Sequence, residues 1–340
     1  MPISSLLQVA LSIVAIQGTD GVVFRQPQLA RDGARVYLTM GAGNAVYFAG
    51  SNDGGVTFAK PVRIAEAGKL MLGRHRGPRI AAANGAIVVT ANIDGDLLSW
   101  RSTDQGATWS QAVRVNNVPK SAREGLHAMA AGAGMVAAVW LDLRQEGMRL
   151  YGAVSKDGGA SWSENRLVYE SPDGHICECC HPSVKIGAKG EIVAMWRNWL
   201  GGNRDMYLAR STDGGKSFTP AVKTGSGSWP LNACPMDGGD VALAADGGSW
   251  TAFRRDTNIV LAAPDGKEKL LGNGKDPAMA LGRKGAVVAW TEKGIRLMQP
   301  PYAEPVLLDP AGSFAHMIGG PDIVVAWETA SGIQVTRVTE

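Results

Sequence analysis

The chain has 340 residues, with 34 Lys and Arg against 31 Asp and Glu and a net charge near +3. So small an imbalance excludes a nucleic-acid or anionic-membrane binder working by bulk charge, and the densest basic run, RHRGPR at 74–79, is too short to act as one. No apolar stretch approaches the roughly 20 residues of a spanning helix, so no stable membrane insertion is expected.

From the N-terminus, Leu6 to Ile16 is apolar and is followed by small residues. Two readings stay open for residues 1–18. One is a signal-peptide core, which lacks the usual Lys or Arg ahead of it and would place the protein in the periplasm or outside the cell. The other is a strand, because Leu7, Val9, Leu11 and Ile13 alternate. Residues 19–340 read as a single domain.

Beyond that segment the chain falls into units of four strand-like pieces. The first is QPQLAR, RVYLTM, AVYFAG and PVRI; the second is GPRIAAA, AIVVTAN, LLSW and AVRVN. The third is LHAMAAG, MVAAVWLD, LYGAV and NRLVY, and the fourth HPSVKIG, EIVAMWRN, MYLAR and AVKTG. The fifth is GDVALAAD, SWTAFRR, IVLAA and EKLLG, and the sixth DPAMALG, AVVAWTE, IRLMQ and PVLL. The seventh, FAHMIGG, IVVAWET and IQVTRV, lacks a fourth strand. An N-terminal strand, Leu7 to Ile13 or Gly21 to Phe24, would fill that gap and remove the open edge.

Between the third and fourth pieces of the first four units lies one phrase: SNDGGVTF, STDQGATW, SKDGGASW and STDGGKSF. Its aspartates, Asp53, Asp104, Asp157 and Asp213, are 51, 53 and 56 residues apart, and a worn copy follows at Asp265. A fixed period of this size means stacked supersecondary units. The phrase suits a tight hairpin: the carboxylate accepts from backbone N–H groups of its own turn, glycine supplies φ > 0, and the aromatic ring tucks beneath.

This pattern resembles the Asp-box, or BNR, repeat of sialidase-like β-propellers. The expected fold is therefore all-β, a seven-bladed β-propeller of four-stranded blades closed by an N-terminal strand. The sialidase-like family has six blades, which is the alternative. In such a ring the boxes lie on one face, and the blade-to-blade loops gather round the axis on the other. Those loops hold all five histidines and all four cysteines, and loops on a rigid scaffold are where sites are built.

Three kinds of chemistry are expected on that face. Sialidase-like enzymes grip a substrate carboxylate with three arginines, the first in an FRIP-like motif that FRQP resembles, which implies Arg25 as an anion anchor. Arg79, Arg197 and Arg254 could add guanidinium forks, and Trp229 a sugar platform. The expected partner is an acidic carbohydrate or small anion. The family's aspartate acid and tyrosine nucleophile have no clear counterparts: Asp32 sits in an RDG turn and Tyr302 in PPYAEP. Two carboxylates flanking a sugar could still hydrolyse it, with Asp142, Glu124 and Asp237 as candidates. The third kind is Cys177, Cys179, Cys180 and Cys234, as disulfides, as free thiols or, with His181 and His127, as ligands of zinc or copper. A non-catalytic interaction scaffold is the remaining reading.

Overall fold

The structure is a computed structural model, and it describes residues 12–18 and 21–338. The described residues form 28 strands and no helix, arranged as seven four-stranded antiparallel sheets. Each sheet is one blade, so the ring has seven blades and not six. Within a blade the strands run in sequence order from the axis outward.

The last blade departs from that order. Its three C-terminal strands, Ser313–Ile318, Ile323–Thr329 and Gly332–Val338, are joined on the outer edge by Ile13–Ile16. The N-terminal closing strand is therefore real, but neither predicted segment supplies it. Of Leu7 to Ile13, only the last two residues lie within the described chain. Gly21 to Phe24 forms no strand; Phe24 packs edge-on against Tyr47, with ring centroids 5.0 Å apart.

Second strands are buried on both faces, which explains their unbroken apolar runs. Ala86–Ile93 is buried throughout. Trp140, Trp196, Trp290 and Trp327 recur there with no measurable exposure. The apolar clusters lie mostly between neighbouring blades: one joins Tyr37, Val46 and Phe48 of blade 1 to Ile80, Val89 and Trp100 of blade 2.

The boxes close these seams. In the fourth, Asp213 Oδ1 accepts from the amides of Lys216 and Ser217, each at 3.0 Å, and from Ser211 Oγ at 2.8 Å, while Ser217 Oγ donates to Oδ2. Ser211 Oγ in turn accepts from the Gly215 amide at 2.9 Å. All four donors recur at Asp53, and three of them, the two hydroxyls and the amide four residues on, recur at Asp104 and Asp157. They hold every box carboxyl below its usual range, with the Thr57, Thr108, Ser161 and Ser217 hydroxyls as the largest cause. The worn copy keeps one such bond, from the Lys267 amide to Asp265.

The closing aromatic does not tuck beneath its own hairpin alone. Trp109 of blade 2 packs on Phe48 of blade 1 at 5.3 Å, and Trp162 of blade 3 donates to Ser99 of blade 2 at 2.9 Å. The second glycine of the box presses on the same seam. A Cβ at Gly215 would sit 2.7 Å from Val154 of the preceding blade, and one at Gly159 would sit 2.8 Å from Val88.

Two measurements check this. Gly214 and Gly215 have φ of +75° and +83°, but a Cβ at Gly214 would meet only the end of the Lys156 side chain, at an ordinary 3.6 Å, whereas one at Gly215 would clash with Val154. Gly215→Ala is expected to cost about 1–3 kcal/mol more than Gly214→Ala in urea unfolding; equal costs would contradict the seam. Because a box carboxyl titrates lower folded than unfolded, its stabilisation is complete above the unfolded carboxyl pKa, about 4, and fades as pH falls through the folded value. Asp157, held at about 2, is the test: Asp157→Asn should lower the melting temperature at pH 7 and narrow its gap from the parent protein in strong acid.

Candidate functional site

The first strands of blades 1, 6 and 7 begin with the same irregularity. Register shifts between Arg25 and Gln28, between Lys275 and Ala278, and between Ser313 and His316. In each, the inserted residue takes a left-handed conformation: Gln26 at φ 54°, Asp276 at 56° and Phe314 at 52°. Arg74 and His75, ahead of blade 2, do the same at 46° and 64°. Bulges re-aim side chains, and left-handed non-glycine residues persist where the surroundings over-determine them.

These loops meet at the axis. His75 Nε2 lies 2.8 Å from Asp276 Oδ1, and its ring stacks on His181 with centroids 3.9 Å apart. Phe314 meets His75 edge-on at 5.1 Å. The Asp276 amide donates to Asp237 Oδ2 at 3.2 Å. Burial beside Arg79, Arg76 and Lys275 lowers His75 to about 3, so the ring is neutral. Burial raises the Asp276 carboxyl to about 6, against the pull of Lys275, Arg254 and Arg74. Burial and the Asp276 charge raise Asp237 to about 7. Arg74 and Lys275 are exposed and form no ion pair among the described residues.

Below this mouth the axial cavity is lined by Gln28, Arg79, His181, Lys185, Asp240 and His316 and has a volume of about 70 Å³. That holds a few waters and falls far short of a ligand pocket. A larger cleft, about 400 Å³, lies on the box face between blades 4 and 5; the Arg210 guanidinium that lines it donates to Gly247 and Ser249.

Most of the sequence-predicted anion grips have internal partners instead. Arg79 donates to the carbonyls of His127, Gly77, Pro78 and His75. Arg197 donates to those of Asp237, Arg204 and Arg254 at 2.9, 2.7 and 2.9 Å. Both are buried struts, because their blade positions bring carbonyls of two neighbouring segments to one guanidinium. Arg25 donates to the Thr329 carbonyl of blade 7 and remains part-exposed. Arg254 stands 3.9 Å from Asp237 Oδ2 and is part-exposed. Trp229 is no platform: it is 7 % exposed and lies against the guanidiniums of Arg197 and Arg254, 5.1 and 5.3 Å from its ring.

The predicted carboxylates separate likewise. Asp142 is buried and accepts from Trp140 Nε1 at 2.7 Å and from Arg144 through both oxygens, which makes it an internal counter-ion. Glu124 stands 3.5 Å from Arg76 at the rim. Asp237 alone joins the axial group, and its Oδ1 is buried without a partner. Asp276 and Phe314 were not among the predicted site residues. The parallel between RQP before blade 1 and KDP before blade 6 is the signal that could have singled out Asp276.

All four cysteines meet beside this mouth. Cys179 and Cys234, Cα atoms 6.4 Å apart, are disulfide-bonded across blades 4 and 5, within the usual span. Cys177 and Cys180 are free and buried, their sulfurs 3.0 Å apart. The Cys180 thiol, with Arg204 and Arg197 nearby, lowers Cys177 to about 6, while burial raises Cys180. His127 is absent from this group; its Nε2 lies 3.1 Å from Thr90 Oγ1 in blade 2. The His181 ring turns to His75, and its Nδ1 is buried without a partner.

Comparison with known proteins places this geometry. Residues 91–294 match the BNR repeat-like domain family. Curated protein sequences yield no match. Among solved structures, the virginiamycin B lyase of Staphylococcus aureus is similar at 14 % identity and TM-score 0.56, covering 97 % of this chain and 99 % of its own. An α-L-arabinanase of Penicillium chrysogenum, complexed with arabinobiose, is similar at 13 % identity and TM-score 0.55, covering 96 % and 98 %. The intramolecular trans-sialidase of Ruminococcus gnavus, in complex with oseltamivir carboxylate, is similar at 13 % identity and TM-score 0.53, covering 93 % and 94 %. At these identities the likeness is one of fold.

Arg197→Met should leave three buried carbonyls without a donor and cost about 3–5 kcal/mol in urea unfolding. A loss below about 1 kcal/mol would show that this arginine is not the strut described.

Proposed function

The chain belongs to the BNR repeat-like domain family, and from that premise we propose that it binds an acidic carbohydrate or related small anion at the axial mouth opposite the boxes. One observation carries this reading: Arg74, Lys275 and Arg254 all bear on Asp276, yet the first two have no carboxylate partner of their own. Three cations, Arg74, Lys275 and Arg254, stand against two carboxyls, Asp276 and Asp237, and His75 is kept neutral by burial, so the mouth carries a surplus of positive charge that an anion would neutralise. Arg25, at the position the FRQP motif implies, stands at the rim of blade 1 and contributes from the side. The two sugar-related folds support the class of ligand, one having been solved with arabinobiose and the other with oseltamivir carboxylate.

Hydrolysis is the finer part of the reading. Asp276 is the better proton donor, because Asp142 is tied to Trp140 and Arg144 and Glu124 faces Arg76. A carboxyl titrating near the working pH suits general acid catalysis.

Titration calorimetry at low salt with a uronic or sialic acid and a neutral sugar of the same size tests the binding. The acidic sugar should bind more tightly, lose affinity as salt rises, and lose about tenfold, or about 1.4 kcal/mol, in Lys275→Ala and in Arg254→Ala. Equal binding of the neutral sugar, or no effect of either substitution, would overturn the proposal. For a glycoside that is turned over, Asp276→Asn should abolish release of the sugar while retaining binding.

A further inference from the structure

The four cysteines are not required by the anion site, and their arrangement points elsewhere. They come from two loops, Cys177, Cys179 and Cys180 ahead of blade 4 and Cys234 ahead of blade 5, yet they form one cluster. The sulfurs of Cys177, Cys179 and Cys180 all lie within 4.8 Å of one another, and the sulfur of Cys234 is bonded to that of Cys179. Cys177 to Cys179 is 3.7 Å and Cys179 to Cys180 is 3.9 Å. A tetrahedral site with metal–sulfur bonds of about 2.3 Å has edges of about 3.8 Å. Two of the three separations within the blade 4 loop match that edge; the third, 3.0 Å between Cys177 and Cys180, has to open, as does the Cys179–Cys234 bond.

The surroundings also suit a thiolate cluster. Two cations, Arg197 and Arg204, act on Cys177, and Arg197 acts on Cys180 as well. A divalent ion with four thiolates carries a charge of −2, which two arginines balance. The backbone is held too: the Cys177 amide donates to the Arg197 carbonyl at 3.1 Å. Gly238 lies so close to the blade 4 loop that a Cβ there would meet the His181 carbonyl at 2.2 Å. The two loops are thus packed together whether or not their sulfurs are joined.

We propose that this cluster, once reduced, is a tetrathiolate site for a thiolate-preferring d¹⁰ ion of the zinc class, formed by Cys177, Cys179, Cys180 and Cys234. The structure shows its oxidised form. A dithiol reductant transfers two electrons and two protons to the Cys179–Cys234 bond, giving two thiols and leaving as its own disulfide. Binding of the ion then displaces whatever protons the four sulfurs still carry, at most four. The site is independent of the anion proposal, since none of its ligands is among the residues placed at the mouth as grips or proton donor.

The test uses the full chain, reduced with dithiothreitol under argon and freed of reductant. Zinc chloride is titrated in one arm and copper(I) in the other, with native mass and proton release as readouts. The reduced parent is expected to take up one ion, and the protein left oxidised none. Cys177→Ser and Cys180→Ser, checked for native fold by circular dichroism, should weaken uptake by at least the roughly 10–100-fold that even outer partners of a site command. One equivalent of copper(I) held in place of zinc, and lost in both variants, supports the same thiolate site with a different ion. No ion bound to the reduced parent, or uptake unchanged in both folded variants, overturns the proposal. So does a native chain that forms two disulfides and regains no zinc affinity on reduction.

Discussion

Closure of the ring is the constraint on which the rest depends. Six blades draw all four strands from one run of chain, whereas the last has three and needs a distant segment to cover its long third strand, which would otherwise be a template for association. Here Ile13–Ile16 lies antiparallel to Gly332–Val338, pairing Ile13 with Thr336 and Ile16 with Ile333. Thr336 Oγ1 also donates to the Ser12 carbonyl at 3.1 Å. The approach is close enough that a Cβ on Gly332 would meet the Ile16 carbonyl at 2.8 Å. The two ends of the chain are therefore tied within one sheet, and every blade has two neighbours.

Given closure, the boxes set the spacing. Each is a self-contained hydrogen-bonded hairpin, and each places a glycine, and in two of them a tryptophan, against the blade before it. Gly55 of blade 1 meets Val324 of blade 7, so the seam continues across the junction of the two chain ends. Blades 5 to 7 lack the full phrase and are joined by apolar contacts, as where Met317 and Trp327 meet Val287 and Ala289, and by single hydrogen bonds, as where Trp327 Nε1 donates to Asp309 at 2.7 Å. A frame packed this tightly can hold the axial loops in strained conformations. Gln26, Asp276 and Phe314 occupy left-handed backbone that a mobile loop would relax. The same rigidity brings cysteines of two loops to one point and holds Arg74 and Lys275 near Asp276 with no ion pair of their own among the described residues.

Much of this was legible in the sequence, and the reason is locality. The box is read within eight residues, because its carboxylate, hydroxyls and glycine satisfy one another. Strand positions followed from the boxes, and all seven first and second strands fall where the pattern puts them. The closing strand was harder: the apolar run from Leu6 to Ile16 offers several registers, and only the partner edge selects Ile13–Ile16. The arginines show the deeper limit. Arg79 opens the first strand of blade 2 and Arg197 ends the second strand of blade 4, but nothing nearby in sequence reveals that carbonyls of the next blade meet their guanidiniums. Trp229 misled for the same reason, since its two covering arginines come from neighbouring strands. Asp276 escapes a reading of the sequence because its bulge has no signature beyond the Lys-Asp-Pro that opens the strand.

Closure can be tested directly by amide hydrogen exchange. Val14 and Ala15 belong to a short strand near a chain end, where early opening is the ordinary behaviour. If Ile13–Ile16 holds the ring, the protected amides of this strand should exchange only with global unfolding, at the same free energy as Val325 and Ala326 in the middle of the blade. Exchange of the strand several kcal/mol below that limit, with the rest of the blade still protected, would contradict the account, because the ring would then stand without its closing strand.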